Sequence, residues 1–282
     1  YFIKRLLIIF CGLLIVSFVI FVALRFAPGD PADLMIPGIP TYEERAMIHE
    51  HLGLDKPVIM QYIIYIKNIF MHGDFGSSYY SDESIIHILQ ERIPKSFQLI
   101  IPTFILVLLV GIPTGFIAVI YRNSLFDYMT VVTVYILQAL PNFFVAIGLI
   151  LFFAVRHPIF PVFGRGGIET MVLPIIALAL PLIGRVMKFV RSGLMDTIEE
   201  DYIRTAFSKG LSKRNVYIKH AFRNTAIPLI TDLSMQFIWT IGNAVVIEEI
   251  FGWGGIGRLT ITSLRLRDYP TGEACVLFFA SL

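Results

Sequence analysis

The sequence predicts an all-α polytopic membrane protein: six transmembrane helices, the last truncated, with a folded outer cap between spans one and two. Three observations predict it. Hydrophobic residues make up 56% of the 282 residues and charged residues only 16%, against roughly 25% charged in a soluble domain. The mean hydropathy is +0.74, which is more apolar surface than one water-facing shell can hide. The apolar residues also fall in charge-free runs near the length of about 20 residues that crosses a hydrocarbon core of about 30 Å. This composition excludes a disordered chain, a disulfide-stapled secreted module and almost every soluble enzyme. A net charge of +2 and a pI near 8.5 are too mild for a nucleic-acid partner, and none is expected. Cys11 and Cys275 lie in apolar segments with no CxxC motif, so neither a disulfide nor a structural zinc site is expected. Beginning at Tyr1 and stopping inside an apolar run, the chain reads as trimmed at both ends.

The spans follow in order. Leu6 to Leu24 carries no charge and, at about 1.5 Å per residue, is just long enough to cross. It is too long for the apolar stretch of a cleavable signal, and no small-residue cleavage site follows. Ser96–Tyr121 is the second span and Tyr128–Val155 the third. Thr170–Gly184 is a shorter fourth carrying Pro174 and Pro181, so a kinked or neighbour-supported helix is expected. The fifth runs from about Ala226 to Ile247, interrupted by Asp232, and the sixth begins near Ala274. The domain plan is therefore 1–27 for the first span, 28–95 for the cap and 96–282 for a core of spans two to six. Six spans put both termini on one side. Lys4, Arg5, Arg122 and the basic residues from Arg185 to Arg223 share that side, which the bias of Lys and Arg assigns to the cytoplasm.

Two polar segments carry pattern. In the outer one, Pro28-Gly29-Asp30-Pro31 turns the chain out of the first span. Thr41–Leu52 reads as a short helix with Thr41 as N-cap and Glu44 in the capping-box position, ended by Gly53. Pro57–Met71 follows as an apolar-periodic stretch with Tyr62, Tyr65 and Phe70. His49 and His51 lie close together here, but the histidines form no compact ligand motif, and no metal site is expected. The second segment is the cytoplasmic loop 186–225, with Ile198, Tyr202 and Ala206 expected on one helical face. Gly210 then suits a left-handed helix terminus, Ser212 suits the next N-cap, and Val216, Ile218 and Phe222 mark a second helix. Such a shape is either held by a partner or bound to anionic lipid through its lysines.

Polar residues inside spans are costly and face a pathway or the bundle interior. The candidates are Gln138 and Asn142 around Pro141, and Asp232, Gln236 and Asn243, whose spacings of four and seven put them on one helical face. They either line a translocation pathway or hydrogen-bond between helices.

At this point several ordered motifs resemble a known family. Glu200-Asp201-Tyr202-Ile203-Arg204-Thr205-Ala206 with Lys209-Gly210 resembles the EAA loop of bacterial ABC importer permeases. His220-Ala221-Phe222-Arg223-Asn224-Thr225-Ala226-Ile227-Pro228 looks like the variant of the peptide and nickel permeases. Pro28-Gly29-Asp30-Pro31-Ala32, Leu52-Gly53-Leu54-Asp55-Lys56-Pro57, Gly73-Asp74-Phe75-Gly76-Ser77-Ser78, Glu249-Ile250-Phe251-Gly252-Trp253 and Arg267-Asp268-Tyr269-Pro270 point the same way. The resemblance spans nearly the whole chain and is to the B-type subunits of dipeptide, oligopeptide and nickel importers. Arg204 and Thr205 depart from the general EAA pattern as the peptide branch does. Gly254 stands where the family usually has proline, and is expected to loosen the turn before Gly255 and Gly257.

The resemblance implies the permease fold, an outer re-entrant loop over 248–273 and a multi-pass place in the cytoplasmic (inner) membrane of a bacterium or archaeon. It implies a second, C-type permease, two cytoplasmic ABC ATPases, an extracytoplasmic binding protein, and a peptide or nickel-chelate substrate in the lipid bilayer. Asp201, Tyr202, Arg204, Thr205, Ala206, Lys209, Gly210 and Leu211 would be the ATPase-coupling residues, with Gly210 allowing the turn and Ala206 a close backbone approach. No phosphate-binding G-x-x-x-x-G-K-[ST] loop is present. No cofactor is expected on this chain, then, and ATP and Mg belong to the ATPases; the chain itself is not an enzyme. An intramembrane hydrolase is disfavoured because no histidine lies in a predicted span and Asp232 has no acidic partner within one. A secondary transporter without ATPase would leave the 186–225 loop unexplained and its halves without visible similarity.

Overall fold

Long apolar runs fold as helices because a lipid core leaves backbone N–H and C=O groups no other partner. The computed structural model describes residues 2–27, 29–36, 41–162 and 167–282, and Pro28 of the expected outer turn lies outside them. Among the described residues nearly all are helical, and a bridge between Ser77 and Ser84 is the extended pairing present. Helix α1 is Phe2–Phe26, α2 Ala32–Met35, α3 Tyr42–Leu52 and α4 Val58–His72. Next come α5 (Ile85–Ile120), α6 (Leu125–Ala139) and α7 (Asn142–Leu149), which continues π-helically over Ile150–Arg156. After α8 (Glu169–Ile198) and α9 (Asp201–Ser208), α10 (Lys213–Asn215) runs through a π-helical stretch, Val216–Ala221, into α11 (Phe222–Ile250). Helices α12 (Ile256–Arg265) and α13 (Tyr269–Ser281) follow.

Four helical stretches are long and apolar enough to cross a membrane alone: Phe2–Phe26, Ile85–Ile120, Glu169–Ile198 and Val216–Ile250. The third expected span is different. It is a pair, Leu125–Ala139 and Asn142–Arg156, bent by 99°. Pro141 has no N–H to continue the ladder and drives the residue before it out of the helical region; Leu140 is extended, with φ −88° and ψ 123°. The expected sixth span corresponds to α13, which has 13 residues, short of the roughly 20 that a crossing needs.

The fourth span is longer than expected. Both Pro174 and Pro181 lie inside α8, which runs unbroken past Gly184 to Ile198. A buried stripe of Val186, Val190 and Leu194 keeps it helical, so the first third of the expected 186–225 loop is helix. The interhelical loop proper begins at Glu199.

The chain forms two compact units, residues 1–96 with 254–282, and residues 97–253. In the first, the cap forms as its local signals dictate. Thr41 Oγ1 accepts from the Glu44 N–H at 3.3 Å, and Glu44 Oε2 accepts from the Thr41 N–H at 2.8 Å, completing the capping box. Gly53 and Gly73 end α3 and α4 with φ of +68° and +63°, a conformation only glycine takes without strain. Asp30 accepts from His49 Nε2 at 2.8 Å. Burial pushes the Asp30 carboxyl up, but His49, the Ala32 N–H and Arg45 outweigh it and hold it below the usual carboxylate range. The Tyr62 hydroxyl donates to the Leu14 carbonyl at 3.0 Å, and Arg25 pairs with buried Glu273, so α4 and α13 both pack on α1. Ser78 Oγ donates to Asp268 Oδ2 at 2.6 Å, tying the end of the cap to the α12–α13 corner.

The turn at Gly254 is held by side chains around it. Arg92 Nη1 donates to the Gly254 carbonyl at 3.2 Å and sits 2.9 Å from where a Cβ would be. The following Ile256 N–H is held by Ser96 Oγ at 2.9 Å. Arginine fills the space that a larger residue at 254 would take.

In the second unit the helices come close through small residues, the route open to helices that gain little from hydrophobic contact in lipid. A Cβ at Gly111 would meet Val186 at 2.9 Å, and one at Gly115 would meet the Met187 carbonyl at 2.7 Å, so α5 and α8 touch along a Gly-x-x-x-Gly seam. Gly184 lies against Leu137 of α6 in the same way, at 3.1 Å. Arg191 of α8 grips Asp127 bidentately at 2.6 and 2.9 Å, and Asp127 also accepts from the Asn123 N–H at 3.1 Å. The arginine that looked like a loop charge is a brace between two helices.

Candidate functional site

The cytoplasmic connection and the polar face of the second unit are the two candidate sites. Helix α9 starts at Asp201 because Glu199 and Glu200 break the helical run: Glu200 is extended, with φ −71° and ψ 146°. Ile198 still packs against the same core as α9, and of the expected Ile198, Tyr202 and Ala206 face it is Tyr202 that turns outward. Ile203 and Ala206 are the buried positions, at 0% and 6% exposure, while Tyr202 is exposed. Ile203 and Ala206 join Leu194, Val216 and Ala221 in the core of this unit. The close approach that Ala206 permits is to the chain's own helices.

The other residues expected to couple face outward. Arg204 and Asp201 form a loose pair at 3.4 Å, both largely exposed, which is worth little in water. Thr205 Oγ1 donates to the Asp201 carbonyl at 3.0 Å, and the Tyr202 hydroxyl accepts from Asn224 Nδ2 at 2.6 Å. Lys209 ends α9, and Gly210, with φ +77°, donates to the Phe207 carbonyl at 2.9 Å. Leu211 is exposed, and the expected N-cap Ser212 accepts from the Asn215 N–H at 3.4 Å. Helix, left-handed glycine and helix stand where the pattern put them. The second helix, though, is three residues of α10 merging into a π-helical stretch, an irregularity that single-residue patterns do not reveal.

The polar span residues converge. Gln138, Asn142, Gln236 and Asn243 line one cavity of about 280 Å³, together with Leu178, Pro181, Arg185, Trp239 and Thr240. The 99° bend at Pro141 presents Gln138 and Asn142 on either side of the break. Asp232 is not on the cavity wall. It lies behind Arg185, accepting from Nη2 at 2.8 Å and Nε at 3.2 Å. With its amide oxygen toward the guanidinium, Gln236 accepts from the same two atoms at 3.0 Å. Sequence reasoning missed Arg185 and Trp239. Arg185 stood just past the expected end of the fourth span; its place four residues after Pro181, at the head of the Val186–Val190–Leu194 stripe, was the signal that it belonged to the helix.

Comparison with known proteins fits this geometry. Residues 111–282 match the family described as the binding-protein-dependent transport system inner membrane component, and residues 1–100 match its N-terminal companion. The chain belongs to this family. It is 33% identical over 280 residues to the glutathione transport system permease protein GsiC of Escherichia coli strain K12. It matches that of Shigella flexneri serotype 5b and of Salmonella typhimurium strain LT2 to the same degree. Each alignment covers 99% of this chain and 91% of the relative. This inner membrane component is thus a permease subunit of a binding-protein-dependent ABC importer, a multi-pass helical membrane protein and a transport subunit. Both candidate sites, 199–212 and the cavity of the second unit, lie within the larger match.

Proposed function

We propose that this chain is one of two permease subunits of an ATP-driven importer of short peptides, with both termini in the cytoplasm. Its partners are a C-type permease, two cytoplasmic ATPases that bind ATP and Mg, and an extracytoplasmic binding protein. The single observation that carries this reading is α9: an exposed short helix closed by a left-handed glycine and anchored by Ile203 and Ala206 to the core that α8 and α11 share. A push on α9 is thereby transmitted to both long helices. Tyr202, Arg204, Thr205 and Lys209 are the contact residues, while Ala206 couples from inside. Gln138, Asn142, Gln236 and Asn243 form this subunit's share of the pathway, and Asp232 supports it through Arg185. The glutathione relatives favour small peptides as cargo over nickel chelates, since glutathione is itself a tripeptide. The test is purification in mild detergent from the native cell with mass spectrometry of what accompanies the chain. Two ATPases and a second permease are expected. A chain that arrives alone, under conditions that preserve other membrane complexes, overturns the reading.

A further inference from the structure

The Arg185–Asp232 pair is built in a way that a merely structural ion pair is not. A guanidinium offers five N–H donors in a planar fork. Asp232 and Gln236 both engage its Nε and Nη2 atoms, and among the described residues nothing bonds to Nη1. The pair is lopsided in exposure too: the Asp232 side chain is 12% exposed and that of Arg185 is 52%. Arg185 lines the cavity, whose other polar side chains, Gln138, Asn142, Gln236, Trp239, Thr240 and Asn243, are all neutral. A cation fixed from behind along one edge, with its other edge open in a neutral polar cavity, is preorganised for a planar anion. Arginine matches carboxylates bidentately, and the short peptides of the proposed function carry one at the C-terminus.

We propose that Arg185 is a cargo-binding residue that takes a peptide's free carboxylate on its Nη1 edge, with Asp232 and Gln236 as positioning residues. This rests on the importer reading and adds the chemical class that the cavity selects. Asp232 keeps the resting cavity neutral, so an empty site holds no uncompensated cation in the span. It also fixes the fork, so that little side-chain freedom is lost when cargo arrives.

The experiment uses the assembled complex without its binding protein. A pool of di- to pentapeptides, as free acids or as C-terminal amides, is equilibrated by dialysis, and the retained peptides are quantified by mass spectrometry. The wild-type complex is expected to retain acids over amides at least about tenfold, the size of a charged hydrogen-bond pair. Arg185→Gln should bring that ratio near one in a complex that still assembles. If Arg185→Gln leaves Asp232 stranded and the complex does not assemble, Arg185→Gln with Asp232→Asn removes both charges and should give the same loss of preference. An unchanged ratio in an assembled variant, or no preference in the wild type, overturns the carboxylate site. If the wild type shows binding-protein-driven, ATP-dependent peptide uptake in proteoliposomes alongside either result, the importer reading stands and only the carboxylate site falls. Absence of that uptake removes both.

Discussion

Two arginine–aspartate pairs sit on the same helix and do different things. Arg185 and Arg191 are six residues apart on α8, about 120° around an axis that turns about 100° per residue. Both hold an aspartate bidentately at comparable distances. Asp127, the partner of Arg191, is buried at the start of α6, where the Asn123 N–H also holds it. Asp232, the partner of Arg185, is nearly as sheltered, but its arginine is half exposed in a polar cavity. Chemistry alone does not separate a brace from a binding group. Which atoms of the fork remain open, and to what, does separate them.

Removing one partner is the direct way to break this comparison. Asp127→Ala strands a half-buried guanidinium and should cost up to about 3 kcal/mol, read as a lowered unfolding midpoint of the detergent-purified complex. Adding Arg191→Met to that variant should restore part of the loss, because no charge is then left unpaired. A second, local scale comes from the cap: Thr41→Ala deletes half of the capping box and should cost about 1 kcal/mol. Asp232→Ala should cost the least stability, under about 1 kcal/mol, because water reaches Arg185. Its effect belongs in cargo binding. Equal midpoint losses for Asp127→Ala and Asp232→Ala would erase the distinction drawn between the pairs.

The same contrast explains how much of the molecule was legible in the sequence. The cap was, because the Thr41–Glu44 box, Gly53 and Gly73 are local signals that act within four residues. The spans were, because hydropathy over a membrane-crossing length is a strong constraint. Gly210 was, because only a few residue types accept its backbone conformation. The 99° bend at Pro141 was not, because Tyr128–Val155 reads as one charge-free run and a proline alone does not say whether a span kinks or breaks. The length of α8 was obscured by Arg185, Lys188 and Arg191, which read as loop charges until their partners are known. Asp232 lies 47 residues from Arg185 and Asp127 lies 64 from Arg191, and no pattern in one sequence joins residues so far apart. Tyr202 was grouped with Ile198 and Ala206 on one face and turns outward, because the break at Glu200 interrupts the helical register.

In the proposed importer, ATP hydrolysis is coupled to transport through α9 and its glycine turn. The most direct measurement is ATP-dependent peptide uptake by the reconstituted complex carrying Gly210→Val, set beside Gly12→Val. Gly210 has a φ of +77°, where a β-branched residue is strained, whereas a Cβ at Gly12 meets nothing within 4 Å. The account predicts that both variants insert and assemble, that Gly12→Val transports at the wild-type rate, and that Gly210→Val loses uptake. Wild-type uptake by an assembled Gly210→Val complex would contradict it.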